Sequence, residues 1–368
     1  TYKIHHLIKF YKSEENDIKV EALQTSQNWF YAFLVIASVA GIGIIYMFLK
    51  GTIWESHFFE WLNLVVRWIH ITFGIAWIGA SFYFVFLENA LNRTKGVRDE
   101  LAGNLWAVHG GGFYYLEKYK LAPKKIPKDL HWFKYEAYFT WLSGFFLLAI
   151  VYYFNAKSFL IDPEVMQLQP LTAIIISITS LIVGWIVYDQ ICKKLSDNKV
   201  VFTIAITVLV FFFAWFYCQV FSGRAAYIHF GALLGTFMAA NVFFVIIPGQ
   251  KRMVKAAKKG LAPNPEDGKA AFLRSYTNNY FTLPVLFVMI SNHFPSTFGN
   301  TYQWIVLIGI TIGSAGIKHY LNLREKEQLS VWVMPISVLL LFGVALITAP
   351  AKPKYENCKE AVTIEDII

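Results

Sequence analysis

The sequence predicts an all-α fold: a polytopic integral membrane helix bundle of about nine transmembrane helices, N-terminus in and C-terminus out. Composition is the first ground. Of 368 residues, 56% are hydrophobic and 15% charged, whereas soluble domains carry roughly 45–50% apolar and about 25% charged residues. The mean hydropathy of +0.46 is a property of the whole chain, not of one anchor. The second ground is nine apolar runs, each near the ~20 residues that a helix needs to cross a ~30 Å hydrocarbon core. The third is the placement of cations: 26 of the 33 Lys and Arg fall in one alternating set of connecting segments and 6 in the other. Together these exclude a disordered chain, a disulfide scaffold and a soluble enzyme with a single tail. The net charge of +9 belongs to a membrane protein's inner face and not to nucleic-acid binding.

In chain order the runs are about 29–49, 61–87, 135–154, 171–188, 200–220, 226–248, 278–294, 302–320 and 331–349. Residues 1–28 mix Lys and Glu with Ile4, Leu7, Ile8 and Phe10, which suits a cytoplasmic surface helix. No cleavable signal peptide is read, because the first apolar run begins past residue 20. Residues 88–134, with Gly110-Gly111-Gly112, and 249–277, with Pro263 and Pro265, read as the two sizeable loops, both cytoplasmic. Cys192, Cys218 and Cys358 lie far apart and form no metal-binding or disulfide pattern.

Ionisable residues inside a bilayer are costly, so they direct the search for function. The second run holds Arg67 and His70, three apart and therefore on one helix face. Gly74, Ala76, Gly79 and Ala80 follow as a small-residue surface. The sixth run opens with Arg224, Tyr227 and His229, and the seventh ends in Ser291-Asn292-His293. The predicted orientation puts His70, His229 and His293 in the outer half. Imidazoles at one depth suit haem b, with His70 and His229 as iron ligands and Arg67 and Arg224 facing its propionates. The competing reading is that each histidine only hydrogen-bonds a neighbouring helix. Met289, near His293, reads as core packing.

The inner side carries a second set. His109 is followed by Gly110, Gly111 and Gly112, whose backbone N–H groups and lack of bulk suit an anionic or planar ligand. His131, Lys134 and Glu136 fall at the start of the third run, Asn278, Asn279 and Tyr280 at the start of the seventh, and His319 at the end of the eighth. A polar, aromatic-belted interface with a glycine turn is the alternative account.

Several of these stretches resemble the membrane domain of the PuuD-type urate oxidases (urate hydroxylases). They are Glu60–His70 continuing through Ser81–Phe84, Leu105–Tyr119, Leu130–Tyr153, Arg224–His229, Asn241–Pro248, and Asn278–Pro284 through His293. Among them His109-Gly-Gly-Gly-Phe-Tyr114 and Leu130-His-Trp-Phe-Lys134 are the most specific. The second run alone is also similar, more weakly, to HemJ-type haem-binding membrane proteins.

The resemblance implies oxidation of urate, or a related purine, to 5-hydroxyisourate in a bacterial inner membrane. His109, His131, Lys134 and Glu136 would act on substrate, Gly110–Gly112, Asn278 and Asn279 would bind it, and electrons would pass through haem to cytochrome c. It also implies an eight-helix oxidoreductase domain at 50–350, with 29–49 as an additional helix and 351–368 as an external tail. That tail would lead to an absent cytochrome c domain, or haem c would sit on a separate partner, since no C-x-x-C-H occurs. Thr277 stands where the resemblance implies histidine. Membrane lipid is an expected partner, nucleic acid is not, and a homo-oligomer is compatible with the pattern. Two other classes remain: a non-catalytic haem b electron-transfer subunit of a respiratory complex, and a transporter.

Overall fold

The computed structural model describes residues 29, 33, 36–94, 96–127, 129–328 and 330–349. The expected surface helix at 1–28 and the external tail at 351–368 lie outside the described residues. By their contacts the residues fall into two units that meet between Val65 and Val66.

In the first unit, α1 (Ile36–Leu49) precedes the start of α2 (Trp54–Ala90). Glu55 closes the turn between them, accepting from the Gly51 amide at 2.7 Å and from the Tyr46 hydroxyl at 3.3 Å. Tyr46 packs on Phe58 and Phe59 at centroid distances of 6.0 and 5.4 Å.

The second unit holds the remainder. After α2 come a hairpin of β1 (Leu101–His109) and β2 (Gly112–Tyr119) and then α3 (Tyr135–Leu148), which ends in a π-helical turn at Ala149–Tyr153. α4 (Pro170–Lys194) and α5 (Lys199–Val220) follow. α6 (Gly223–Ala240) runs through a π-helical turn at Asn241–Ile246 into α7 (Ile247–Lys258). Last come α8 (Pro265–Ile290), the short α9 (Pro295–Phe298), α10 (Gln303–Glu325) and α11 (Val333–Ile347).

The helices start where the sequence supplies caps. Asn198 accepts from the Val200 and Val201 amides, and Asn264 accepts from Glu266 with Pro265 in the first turn. α4, α5, α6 and α8 share the largest core, where Tyr188, Tyr217, Phe230 and Phe237 are fully buried. Small residues set the helix spacing. A Cβ on Gly231 would fall 2.8 Å from Val288 of α8, and one on Gly309 would fall 2.5 Å from Val344 of α11. These contacts hold the helix pairs closer than any larger residue allows.

Among the described residues, six helices are long and apolar enough to cross a membrane: α2, α3 with its π turn, α4, α5, the continuous run Gly223–Lys258, and α10. The chain is thus helical and compatible with a multi-pass membrane protein. α1 and α11 are apolar but short, and α8 has the length but carries Arg274, Asn278 and Asn279.

Both segments read as loops contain regular structure. Residues 101–119 form the antiparallel hairpin, with His109 opposite Gly112 and Trp106 opposite Tyr115. Gly110 and Gly111 form its two-residue turn at φ +58° and +78°, left-handed angles that a glycine pair adopts without strain. The three glycines therefore make a regular element instead of interrupting one. Within 249–277, α7 runs on to Lys258 and α8 already begins at Pro265, so Asn278 and Asn279 sit in the middle of a helix, not at its start.

Candidate functional site

Two polar centres lie in the second unit. The run Gly223–Lys258 carries His229 of one and Asn241 of the other, twelve positions apart, which is about 18 Å along a helix.

The first centre is built on His229, which is completely buried. Its Nδ1 lies 2.7 Å from the Ala225 carbonyl, and its Nε2 has no partner. A carbonyl only accepts, so Nδ1 carries the proton and Nε2 keeps a free lone pair. The ring is enclosed by Phe221 at 4.6 Å, Tyr152 at 5.8 Å and Tyr217 at 5.9 Å. The buried Tyr152 hydroxyl has no hydrogen-bond partner among the described residues, and the charge of Arg224 and, more weakly, that of Arg67 reach it. Arg224 also donates to Asn292 at 3.2 Å and lies over the Phe159 ring at 5.4 Å. His70 is held similarly, its Nδ1 2.9 Å from the Thr140 carbonyl and 3.2 Å from the Ser143 hydroxyl. Gly144 makes room for that ring: a Cβ there would fall 2.9 Å from His70 Cε1.

The structure thus brings His229 against Tyr152 with Arg224 nearby, while His70 lies one helical turn from Arg67 on α2. His293, by contrast, is exposed on the Ser291–His293 turn. No cluster of three or more His, Cys, Asp or Glu side chains among the described residues is placed to hold a bare metal ion. The donor chemistry does suit a haem, which takes one or two imidazoles. Both histidines are fixed through Nδ1 on a backbone carbonyl, the arrangement that presents Nε2 to iron.

Of the second centre, Asn278, Asn279, Tyr280 and His319 were legible in the sequence, whereas Arg274, Asp189 and Lys318 were not. Arg274 of α8 is 3% exposed; it donates to Asp189 of α4 at 2.6 Å and to Asn241 at 3.0 Å. Asn241 in turn donates to the Tyr188 hydroxyl at 2.9 Å and to Asn278 at 2.7 Å, and Asn278 donates to the Met238 carbonyl at 3.0 Å. Lys193 pairs with the other oxygen of Asp189 at 2.6 Å. At the π turn the Asn241 side chain meets two other helices, α4 through Tyr188 and α8 through Arg274 and Asn278. On the neighbouring face of α8, Asn279 accepts from Asn322 of α10 at 2.9 Å, and Tyr280 meets His319 Nδ1 at 2.7 Å. Lys318 is 1% exposed with its ammonium 3.9 Å from the centroid of Phe82 on α2.

The remaining expected residues lie apart from both centres. His109 is exposed at the hairpin turn, and His131 is exposed with its ring 4.4 Å from Phe133. Lys134 lies over Tyr135 at 4.7 Å, and Glu136 sits half-buried in the first turn of α3. No hydrogen bond or ion pair among the described residues joins these four side chains. Ion pairs instead anchor the hairpin: Arg98 with Glu117 at 2.5 Å, and Lys118 and Arg93 with Glu88 at the end of α2. Glu117 beside it raises the pKa of the Arg98 guanidinium.

A sequence profile described as Urate oxidase N-terminal matches residues 56–349. The chain belongs to the urate oxidase N-terminal family. The match takes in both polar centres and the hairpin. Membership supports an oxidoreductase and points to urate oxidation at the level of the family. No curated protein and no solved structure matches the chain.

Proposed function

We propose that this member of the urate oxidase N-terminal family is a membrane-bound urate oxidase that passes electrons through haem b to a cytochrome c. The supporting observation is the family match over residues 56–349. In the reaction, water adds oxygen at C5 of urate, and two protons and two electrons leave to give 5-hydroxyisourate. The electrons need an acceptor, here a cytochrome c domain or a separate protein carrying haem c.

His70 and His229 are the residues that would hold haem b, through Nε2, with Arg67 and Arg224 facing its propionates. When bound, the group supplies one-electron steps between substrate and acceptor. The chain's own contribution at that end is the ring-lined enclosure of His229 and a fixed tautomer at both histidines. Substrate handling falls to the other centre, where Asn278 and Asn279 are buried and Arg274 and Lys318 supply positive charge. His109, His131, Lys134, Glu136 and the turn Gly110–Gly112, which lie apart from that centre, would guide the substrate toward it. In this reading the protein sits in the bacterial inner membrane with nine spans and the substrate centre inside. The boundaries are those of the sequence reading: an additional helix at 29–49, an oxidoreductase domain at 50–350 and an external tail.

The purified protein is expected to show a b-type reduced-minus-oxidised spectrum and urate-dependent reduction of cytochrome c. His229→Ala should lose most of the haem signal, and His70→Ala should weaken or lose it. Unchanged haem content in both variants would overturn the ligand assignment. Haem that urate never reduces would instead favour the electron-transfer subunit.

A further inference from the structure

The contact between Asn279 and Asn322 is incomplete in an informative way. Two primary amides offer four donors and two acceptors, and here they exchange one hydrogen bond, from Asn322 to Asn279 at 2.9 Å. The residues are 0% and 1% exposed. Asn279 Nδ2 and Asn322 Oδ1 nevertheless have no partner. Turning both amides over leaves the same inventory, one donor and one acceptor, so the assignment of nitrogen and oxygen does not matter. Unmet polar atoms at such depth cost free energy that a complementary ligand recovers.

A cation lies beside them. Lys318 precedes Asn322 by four residues on α10 and so shares its face. It makes no ion pair among the described residues, and Phe82 covers it. The carboxylate that acts on it, Glu325, already accepts from Asn89 at 2.8 Å. An ammonium this deep calls for an anion. Next to the amides, Tyr280 bonds His319 at 2.7 Å and Tyr276 at 3.2 Å, a chain of groups that can accept and pass a proton.

We propose that Lys318, Asn279 and Asn322 form a recognition pocket, between α2, α8 and α10, for the anion of a cyclic ureide. Such a ring presents a C=O and an N–H side by side, which meet Asn279 Nδ2 and Asn322 Oδ1 together, while Lys318 offsets its charge. Urate is one member of the class, and its choice as occupant rests on the urate oxidation proposed above. The Tyr280–His319 pair is placed as the first acceptor of a proton leaving that ring.

The test uses the purified full chain in detergent, with thermal melting and steady-state urate-dependent cytochrome reduction. Urate and orotate are the anionic ureide probes; caffeine, neutral and N-methylated, is the control. Urate should raise the melting midpoint and caffeine should not. Lys318→Met should raise the KM for urate about tenfold or more, as expected for a lost charge-assisted contact, and Lys318→Arg should restore most of it. Asn322→Asp, which sets a carboxylate against the anion, should abolish binding.

Unchanged urate KM in Lys318→Met and Asn322→Asp, with wild-type turnover intact, overturns the pocket and leaves urate oxidation standing. Lys318-dependent binding of orotate in a protein that never oxidises urate does the reverse. If the variants do not fold, the wild-type melts decide: stabilisation by caffeine equal to that by urate, or by neither anion, overturns the pocket.

Discussion

At the scale of single residues, Arg274 carries the most structural weight. It ties α8 to α4 through Asp189 and to the π turn through Asn241. Removing one partner of a buried ion pair strands the other, at a cost of about 3–5 kcal/mol. Lys193 stays on Asp189, so Arg274→Met should sit near the lower end. Thermal melting should show the loss, and Asp189→Asn combined with Arg274→Met should cost less than the two single changes added together. Fully additive effects would mean the pair contributes nothing of its own. Arg274 was hidden in the sequence because Pro263, Pro265 and five lysines and arginines between 251 and 259 make its segment read as a loop. The spacing of Arg274 and Asn278, or of Lys318 and Asn322, four apart on one helix face, is the signal that was there to be used. His229 was legible for the opposite reason: an isolated imidazole in an apolar run has no local excuse.

Among the elements, the hairpin shows how a chemical motif and a structural one can share the same letters. Gly110 and Gly111 hold left-handed angles that cost other L-residues roughly 1–2 kcal/mol each. Gly110→Val should therefore open the 101–119 hairpin, while Gly110→Asn should preserve it, because asparagine tolerates that region. Hydrogen exchange of the strand amides separates the two outcomes; equal protection in both variants would show that the turn does not set the pairing. The long apolar helices were readable because bilayer thickness imposes their length. The extension of α8 back to Pro265 was not, since Glu266, Asp267, Lys269 and Arg274 suppress its hydropathy although Asn264 caps it properly. The partnership of α8 with α10 includes a pair of buried amides, which leave no periodic trace.

For the molecule as a whole, the basic residues make an orientation testable. With 26 of 33 cations in one set of segments, the hairpin turn and the α4–α5 connection should face the cytoplasm, and the α3–α4 connection the opposite side. Cys192 and Cys218 are buried, so single cysteines at Gly111 and Lys157, with Cys358 replaced by serine, give a clean readout. A membrane-impermeant maleimide should label K157C in intact cells and G111C only after permeabilisation. Labelling of both from one side would break the alternation on which nine spans depend. The helical character of the molecule was plain from composition. What composition leaves out is which helices meet, because that depends on small residues such as Gly231 and Gly309 and on polar atoms too few to shift an average.

One feature of the long run Gly223–Lys258 sets its two halves in different directions. A π turn is a single added residue, and it advances everything beyond it by about 100° around the axis. His229 and Arg252 are therefore set in different phases of one rod: the first points among aromatic rings, and the second reaches Asp267 at 2.5 Å. Removing Val242 in frame would restore an unbroken α spiral at the expense of that offset, swinging the basic half away from its acidic mate while the histidine stayed in place.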